Sequence, residues 1–391
     1  MINRTAQKVL QEWSQYYPVL AVTGPRQSGK TTLVKYVYPE KVYVSLEDPD
    51  QREFALEDPR GFLARFPSGA ILDEVQRCPV LFSYLQGMVD HDPRPGLFVL
   101  TGSQHFDLLS GITQSLAGRV GLVQLLPFSL SELRATPDFD VEADDLIWKG
   151  FYPPLYDRKI PPAGWYANYV MTYIERDVRQ MLNIRDLGSF QRFLRMCAAR
   201  TGQLLNLASL GNDCGITHNT AKAWLSILEA SYIVFLLQPH NQNYGKRLVK
   251  TPKLYFHDTG LASWLLSIQD GNQLSIHPMR GALFENMVIS ELLKNRYNNG
   301  LPSNLFFWRD NIGTEVDLIY EIGNDIIAVE MKSGQTATKD YFSALEKWSK
   351  YADSPRKHLY VVYGGDDHYV RSGIRILSWK FLADLPSAII T

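Results

Sequence analysis

Several features of secreted and membrane proteins are missing from this 391-residue sequence. It has only three cysteines, Cys78, Cys197 and Cys214, and their spacing matches no metal-ligand pattern, so we expect free thiols in a reducing compartment. The N-terminus lacks an apolar core of signal-peptide length, and no run approaches the roughly 18 apolar residues of a membrane span. The sequence therefore predicts a cytoplasmic protein with no membrane contact.

An excess of charge is also missing, which limits how the protein could bind nucleic acid. The formal net charge is −1, from 40 Lys and Arg against 41 Asp and Glu, so contact with nucleic acid must come from a local patch. The chain is long enough for two or three domains. Proline-rich breaks at residues 150–165 and 267–278 predict domains at residues 1–150, 160–268 and 275–391.

A strand, a glycine-rich loop and a helix are predicted within YPVLAVTGPRQSGKTTLVKYVY, residues 17–38. Gly24, Gly29, Lys30 and Thr31 match the spacing G-x-x-x-x-G-K-[ST], in which backbone N–H groups surround phosphate oxygens. Lys30 would contact the β- and γ-phosphates, and the Thr31 hydroxyl would bind Mg²⁺. The predicted nucleotide-binding residues of this loop are Gly24, Pro25, Arg26, Gln27, Ser28, Gly29, Lys30, Thr31 and Thr32.

Two acidic residues follow a short apolar strand in GAILDEVQRCP, residues 69–79. Asp73 would hold the magnesium ion together with Thr31, and Glu74 would orient and deprotonate the attacking water. Ser103 ends the next predicted strand, where it would contact the γ-phosphate or the water, or else cap a helix. Arg119 precedes the last strand and would either reach a neighbouring subunit's phosphate or remain a surface residue.

These motifs together resemble the AAA+ type of P-loop ATPase. GPRQSGKTTL, ILDEVQ, LTGSQ and SLAGRVGLVQLLPFSLSEL carry the resemblance. YIERDVRQM, KTPKLYFHDTGLASWLL and RGALFENMVISELL further resemble a prokaryotic family in which this core precedes a C-terminal domain of unknown function. The resemblance implies Mg²⁺-dependent ATP hydrolysis and a homo-oligomer, either a ring or a dimer. The catalytic candidates are Lys30, Glu74 and Arg119, and Arg176 and Arg179 on the helix predicted within residues 165–200 are alternatives to Arg119.

The middle of the chain predicts a winged helix. Residues 204–231 show two helices around a turn at Gly215, and residues 232–258 show two strands around a polar tip. The second helix has a predicted inward face of Ala221, Leu225 and Leu228 and an outward face of His218, Asn219 and Lys222. Cations that could neutralise phosphates on the wing are Lys246, Arg247, Lys250 and Lys253. DNA binding and protein docking both remain open for this segment.

A hairpin is predicted in TEVDLIYEIGNDIIAVEMKSG, residues 314–334. The Gly323-Asn324 turn pairs Ile322 with Asp325, and counting back puts Asp317 opposite Glu330. Directly opposed carboxylates destabilise a sheet unless a divalent cation binds them. One alternative is a solvated ladder of opposite charges that needs no metal.

The order of helix, strand and hairpin around these acids resembles the PD-(D/E)xK nuclease core. That resemblance implies that Glu285, Asp317 and Glu330 hold a second Mg²⁺ ion, with Lys332 orienting a water molecule.

The predicted fold class is therefore α/β: a P-loop AAA+ parallel-sheet domain, a winged-helix domain and a PD-(D/E)xK nuclease-like domain. The predicted function is Mg²⁺-dependent ATP hydrolysis acting on DNA through the C-terminal half. Two alternatives stay open, a nucleotide-gated protein-binding module and an Mg²⁺-dependent DNA nuclease.

Overall fold

The computed structural model describes most of the chain. The described residues are 2–103, 112, 114–137, 139–178, 186–240, 249–323 and 325–385, with the backbone alone at 175–178 and 383–384. The turn residue Asn324, the wing cations Lys246 and Arg247, and Arg179 lie outside this range, as does the side chain of Arg176.

The first sheet consists of parallel strands in the order β2-β3-β4-β1-β5. Its strands are β1 Val19–Thr23, β2 Val42–Ser45, β3 Ala70–Asp73, β4 Phe98–Gly102 and β5 Val120–Gln124. The helices around it are α1 Gln7–Trp13, α2 Lys30–Val37, α3 Pro49–Glu57, α4 Pro59–Ala64 and α5 Val80–His91. Every residue of β1, β3 and β4 is buried, as expected for parallel strands covered on both faces.

Alternating residues of the central strands pack into two separate hydrophobic cores, one on each face of this sheet. Ile71 and Val99 pack with Leu33 of α2 on one face, in a cluster that also takes in α1. Leu72 and Leu100 pack on the other face, in a cluster that takes in residues of α3, α4 and α5. The parallel α/β domain predicted from the sequence is confirmed.

Helices dominate the middle of the chain. They are α6 Leu130–Arg134, α7 Ala143–Lys149, α8 Pro154–Asp157, α9 Pro162–Tyr169, the π-helical segment Val170–Val178, α10 Leu187–Ala199, α11 Leu207–Cys214 and α12 His218–Ala230. Helix α12 begins where the Thr217 side chain accepts a hydrogen bond from the Thr220 amide. Its predicted faces are confirmed: Ala221, Leu225 and Leu228 are buried, whereas His218, Asn219 and Lys222 are exposed.

The second sheet is mixed and has the order β12-β13-β11-β10-β9-β8-β6-β7. Its strands are β6 Val234–Pro239, β7 Lys253–Phe256, β8 Leu305–Arg309, β9 Glu315–Ile322, β10 Asp325–Lys332, β11 Leu359–Tyr363, β12 Tyr369–Arg371 and β13 Ile374–Ser378. The helices that follow β7 are α13 Thr259–Leu265, α14 Gly271–Ser275, α15 Arg280–Asn298 and α16 Ser343–Ala352. Short 3₁₀ segments are Val75–Arg77, Lys339–Phe342, Arg356–His358 and Trp379–Asp384.

The predicted register of the β9–β10 hairpin is confirmed. Ile322 pairs with Asp325, and the ladder runs back to Leu318 opposite Val329. Strand β6 pairs in parallel with β8, so the hairpin of the middle segment continues the C-terminal sheet. One hydrophobic core accordingly extends from Leu126 to Leu385. In the described part of the chain, no helix is both long and apolar enough to cross a bilayer.

Candidate functional site

The loop between β1 and α2 adopts a backbone that requires glycine at two positions. Gly24 and Gly29 have φ angles of 148° and 90°, which residues with a side chain rarely adopt. A Cβ atom at Gly24 would lie 2.0 Å from the carbonyl oxygen of Leu125, so a side chain would displace backbone. The hydroxyl of buried Ser28 has no hydrogen-bond partner within the described residues. The loop is tightly packed and retains a polar atom that a ligand could satisfy.

Lys30 is the buried cation of this loop. Its ammonium donates hydrogen bonds to the carbonyl oxygens of Gly24, at 2.9 Å, and Pro25, at 2.8 Å. Burial lowers the pKa of Lys30 to about 8, although the nearby carboxylates of Glu74 and Asp73 act in the opposite direction. The ammonium is thus held at an energetic cost beside neutral carbonyls, and a phosphate would be a stronger partner.

Asp73 lies at the end of β3, in direct contact with the start of α2. Its carboxylate accepts hydrogen bonds from the Thr31 hydroxyl at 3.1 and 3.2 Å, from Tyr43 at 2.7 Å and from Thr101. The structure therefore brings together Thr31 and Asp73, the predicted magnesium ligands. Tyr43 and Thr101 were missed because they come from β2 and β4, and local spacing does not reveal which strands flank β3.

Glu74 has a strained backbone at the edge of the same site. Its φ and ψ angles of 56° and 44° are left-handed, which costs a residue with a side chain about 1–2 kcal/mol. The carboxylate accepts hydrogen bonds from the Gln76 amide at 2.6 Å and from the Ser103 hydroxyl at 2.9 Å. Strain of this kind concentrates at functional sites. The structure thus places Ser103 against the candidate base.

A cleft of about 340 Å³ opens over the loop and has the size of a small-molecule site. The predicted residues that line it are Arg26, Gln27, Gly29, Lys30, Thr31, Thr32, Asp73 and Glu74. Others that no sequence pattern identified are Ile2, Arg4, Leu33, Glu47, Phe128, Pro153, Pro154, Asp157 and Arg158. The helical segment that contains α8 therefore forms one wall of the cleft.

Arg119 lies at the opposite end of the strands from the loop. Its carbonyl accepts a hydrogen bond from the Val19 amide, at the start of β1, whereas the loop follows the end of that strand. The length of β1 separates the two by about 13 Å. The Arg119 guanidinium forms a bidentate ion pair with Asp90. Arg119 does not reach the cleft of its own chain, and its role toward a neighbouring subunit stays a prediction.

Family comparisons agree with this geometry. Residues 16–134 match the model of an AAA domain, residues 140–272 a domain of unknown function (DUF8612) and residues 280–382 a domain of unknown function (DUF4143). The uncharacterized proteins Rv2008c of Mycobacterium tuberculosis and Mb2031c of Mycobacterium bovis are each 32% identical over 358 residues, covering 90% of this chain and 78% of theirs. The chain belongs to the family of these two proteins. Its first domain is an AAA-type P-loop ATPase domain.

The solved structures to which this chain is similar are more distant. The Walker-type ATPase paby2304 of Pyrococcus abyssi has 15% identity and a TM-score of 0.46, covering 68% of this chain and 96% of its own. A RuvB variant of Thermotoga maritima has 19% identity and a TM-score of 0.31, covering 59% of this chain and 88% of its own.

Arg4 connects the loop of the AAA domain to the rest of the core. Its guanidinium donates to the carbonyl oxygens of Ser28, at 2.7 Å, and Leu126, at 2.6 Å, and forms an ion pair with Glu132 at 3.2 Å. Both charged side chains are at least 95% buried. Glu132 also accepts a hydrogen bond from the Thr5 amide. The pair therefore holds the backbone of the nucleotide loop beside the cleft.

Arg4→Ala is expected to lower the free energy of unfolding by about 3–5 kcal/mol, because it leaves the Glu132 carboxylate buried and unpaired. Urea denaturation of the full chain measures this change. The matched control is Arg94→Ala, which removes an arginine paired with exposed Asp92 and should have a far smaller effect. Equal losses of stability for the two variants would contradict a special role of the buried pair.

The C-terminal acidic residues predicted as metal ligands lie near one another but are paired with cations. Glu285 contacts the Lys253 ammonium at 3.1 Å, and Glu330 contacts Lys332 at 2.6 Å. Asp317 accepts a hydrogen bond from the Met331 amide at 2.8 Å and lies 4.0 Å from Lys332. Among the described residues, no group of three His, Cys, Asp or Glu side chains is arranged so that it could hold a metal ion.

Burial dominates the electrostatics of this cluster. It raises the pKa of Glu285 to about 7 and that of Glu330 to about 8, with neighbouring Asp317 adding to both shifts. Burial also raises the pKa of Asp317. The alternative interpretation of the hairpin, a solvated ladder of opposite charges, is wrong about solvation, because Asp317 and Glu330 are buried. Its pairing of these acids with Lys332 is confirmed.

The predicted cation patch of the wing is wrong at Lys253. The residue is 2% exposed, and besides Glu285 its ammonium contacts Glu315 at 2.5 Å. Burial alone would lower the pKa of Lys253, but the carboxylates of Glu285, Glu315 and Asp317 outweigh burial and raise it. Lys253 therefore belongs to the acidic cluster and does not face a DNA backbone. Lys250, by contrast, is exposed.

Proposed function

We propose that this protein hydrolyses Mg²⁺-bound ATP and that hydrolysis rearranges a DNA-facing C-terminal half. The observation that carries the first part is the contact between Thr31 and Asp73 beside the buried ammonium of Lys30. The AAA-domain match over residues 16–134 supports the same chemistry.

The residues around the loop fit a triphosphate with its magnesium ion. The Thr31 hydroxyl and the Asp73 carboxylate would hold Mg²⁺, which on binding neutralises charge on the β- and γ-phosphates. Lys30 would exchange its two carbonyl partners for phosphate oxygens. Glu74, held by Ser103, would accept the proton of the attacking water. The apolar lining side chains Ile2 and Phe128 would exclude water from one end of the cleft.

Buried contacts supply a route from this cleft to the C-terminal half. The Leu130 amide, in the helix that carries Glu132, donates to the Glu291 carboxylate of α15 at 2.7 Å. The hydroxyl of Thr23, the residue before the loop, lies 2.7 Å from that of Tyr232, which precedes β6. A shift of the loop on nucleotide exchange would therefore act on both α15 and the β6–β7 hairpin.

DNA contact is proposed for the helix-turn-helix segment formed by α11 and α12. His218, Asn219 and Lys222 are exposed on α12, and Lys250 is exposed before β7. Lys222→Glu combined with Lys250→Glu is expected to weaken DNA binding at least tenfold. It should also flatten the dependence of log affinity on log salt, by about 0.9 for each phosphate that the variant no longer neutralises.

Fluorescence anisotropy with single-stranded, double-stranded and branched DNA at several salt concentrations measures these changes. The matched control, Lys8→Glu with Lys357→Glu, reverses two exposed lysines elsewhere. ATPase rates with the same DNA molecules test the coupling, and stimulation by one of them would identify the substrate class. Wild-type binding that is absent or insensitive to salt would contradict the DNA proposal.

A nucleotide-gated protein-binding module is the second candidate. The burial of Lys253 favours it, because one of the four cations expected to contact phosphates is used inside the protein. On this alternative, ATP turnover responds to a protein partner and to no form of DNA. We do not propose nuclease activity, since the Lys253 ammonium pairs with Glu285, one of the three carboxylates that such a site would use.

A further inference from the structure

The acidic cluster of the C-terminal sheet already contains a cation of its own. Lys253 begins β7, and its ammonium lies between the Oε1 atoms of Glu315, at 2.5 Å, and Glu285, at 3.1 Å. Tyr255, two residues further along β7, donates a hydrogen bond to the same oxygen of Glu285. One strand therefore directs two donors at carboxylates carried by α15 and β9.

Two further cations contact carboxylates of the cluster. Lys332 pairs with Glu330 and approaches Asp317, and the Arg309 guanidinium contacts Glu315 at 2.9 Å. Four carboxylates thus face three cations from the protein itself. One carboxylate oxygen, Oε2 of Glu330, is buried without a hydrogen-bond partner in the described part of the chain. The cluster therefore lacks one positive charge, whereas a divalent ion would supply two.

We propose that Lys253 is the resident cation of this cluster and that the cluster binds no divalent metal ion while Lys253 is present. A divalent ion needs several oxygen ligands at about 2.0–2.6 Å. The Lys253 ammonium already lies 3.1 Å from the Oε1 atom of Glu285, one of the three predicted ligands, and is held there by Glu315. Adding the ion without removing Lys253 would place like charges together in a buried site, where their repulsion is poorly screened.

This assignment gives the cluster a structural role that a metal centre would not have. Lys253 follows directly on the segment between β6 and β7, so its two ion pairs fasten that hairpin to α15 and β9. The PD-(D/E)xK resemblance then concerns only the fold of the C-terminal sheet and α15. The charged cluster joins the β6–β7 hairpin to α15 and β9 through ion pairs. The proposal is independent of ATP hydrolysis in the AAA domain.

Titration of the nucleotide-free full chain with MnCl₂ by isothermal calorimetry tests the proposal. Wild type is expected to show no Mn²⁺ binding that depends on Glu330. Lys253→Met is expected to bind one Mn²⁺ per chain at the freed carboxylates, and Mn²⁺ should raise its melting temperature by several degrees. Adding Glu330→Gln to Lys253→Met should remove both effects.

Two matched variants separate this effect from general loss of a buried lysine. Lys294→Met removes another fully buried lysine, which pairs with the single carboxylate of Glu291, and should gain no Mn²⁺ site. Lys253→Arg keeps the positive charge and should behave as wild type. One Mn²⁺ bound per wild-type chain and lost in Glu330→Gln would overturn the proposal, and this comparison stands even if Lys253→Met fails to fold. A folded Lys253→Met that binds no Mn²⁺ would overturn it as well.

Discussion

Lys30→Ala is expected to abolish ATP binding and to lower ATP turnover at least about 100-fold, while the fold stays intact. The ammonium is a buried positive charge that the loop carbonyls of Gly24 and Pro25 hold in the cleft, and its loss leaves the phosphates without the partner proposed for them. Stability should not fall, because burial already lowers the pKa of Lys30 to about 8 and so disfavours the charged form. The expected result is therefore loss of function with an unchanged or raised melting temperature.

Nucleotide affinity and phosphate release, measured beside the melting temperature, check this prediction. Lys8→Ala is the control, since Lys8 is an exposed lysine on α1 and should leave all three quantities unchanged. A Lys30→Ala variant that hydrolyses ATP as fast as wild type would show that the loop is not the catalytic site.

Glu74→Gln is expected to slow turnover by about 10²–10⁴-fold and to leave nucleotide affinity within a few-fold of wild type. The amide cannot take a proton from water, yet it has nearly the same size and can still accept a hydrogen bond from Ser103. The variant should therefore accumulate bound, uncleaved ATP. Single-turnover assays with labelled ATP, followed by separation of bound nucleotide, measure this directly.

The matched control is Glu47→Gln, which changes another glutamate that lines the same cleft. Glu47 is half exposed and pairs with Arg26 and Arg77, so its loss should alter turnover by less than a few-fold. If the two variants lose activity equally, Glu74 has no special role in activating water.

The parts of the fold that local spacing controls could be predicted from the sequence. The loop is one such part, because its glycines, Lys30 and Thr31 lie close together in the sequence. The strand and the helix on either side orient them. The β9–β10 register is another, since a two-residue turn determines which residues oppose each other along both strands. Asp73 reached Thr31 as expected because parallel strands end at one edge of the sheet.

The contacts that could not be predicted join residues far apart in the chain. Arg4 meets Glu132 only because the N-terminal segment packs beside the loop, which no local pattern reveals. Lys253 was expected on a basic surface, since three other cations precede it within eight residues. The pairing of β6 with β8 instead brings β7 beside α15. There Glu285 and Glu315 contact the Lys253 ammonium.

Calorimetric titration of the purified full chain with a non-hydrolysable ATP analogue tests the central claim most directly. The arrangement of Lys30, Thr31 and Asp73 predicts one nucleotide bound per chain, with affinity at least tenfold weaker when Mg²⁺ is removed. No uptake of nucleotide in the presence of Mg²⁺ would contradict the account.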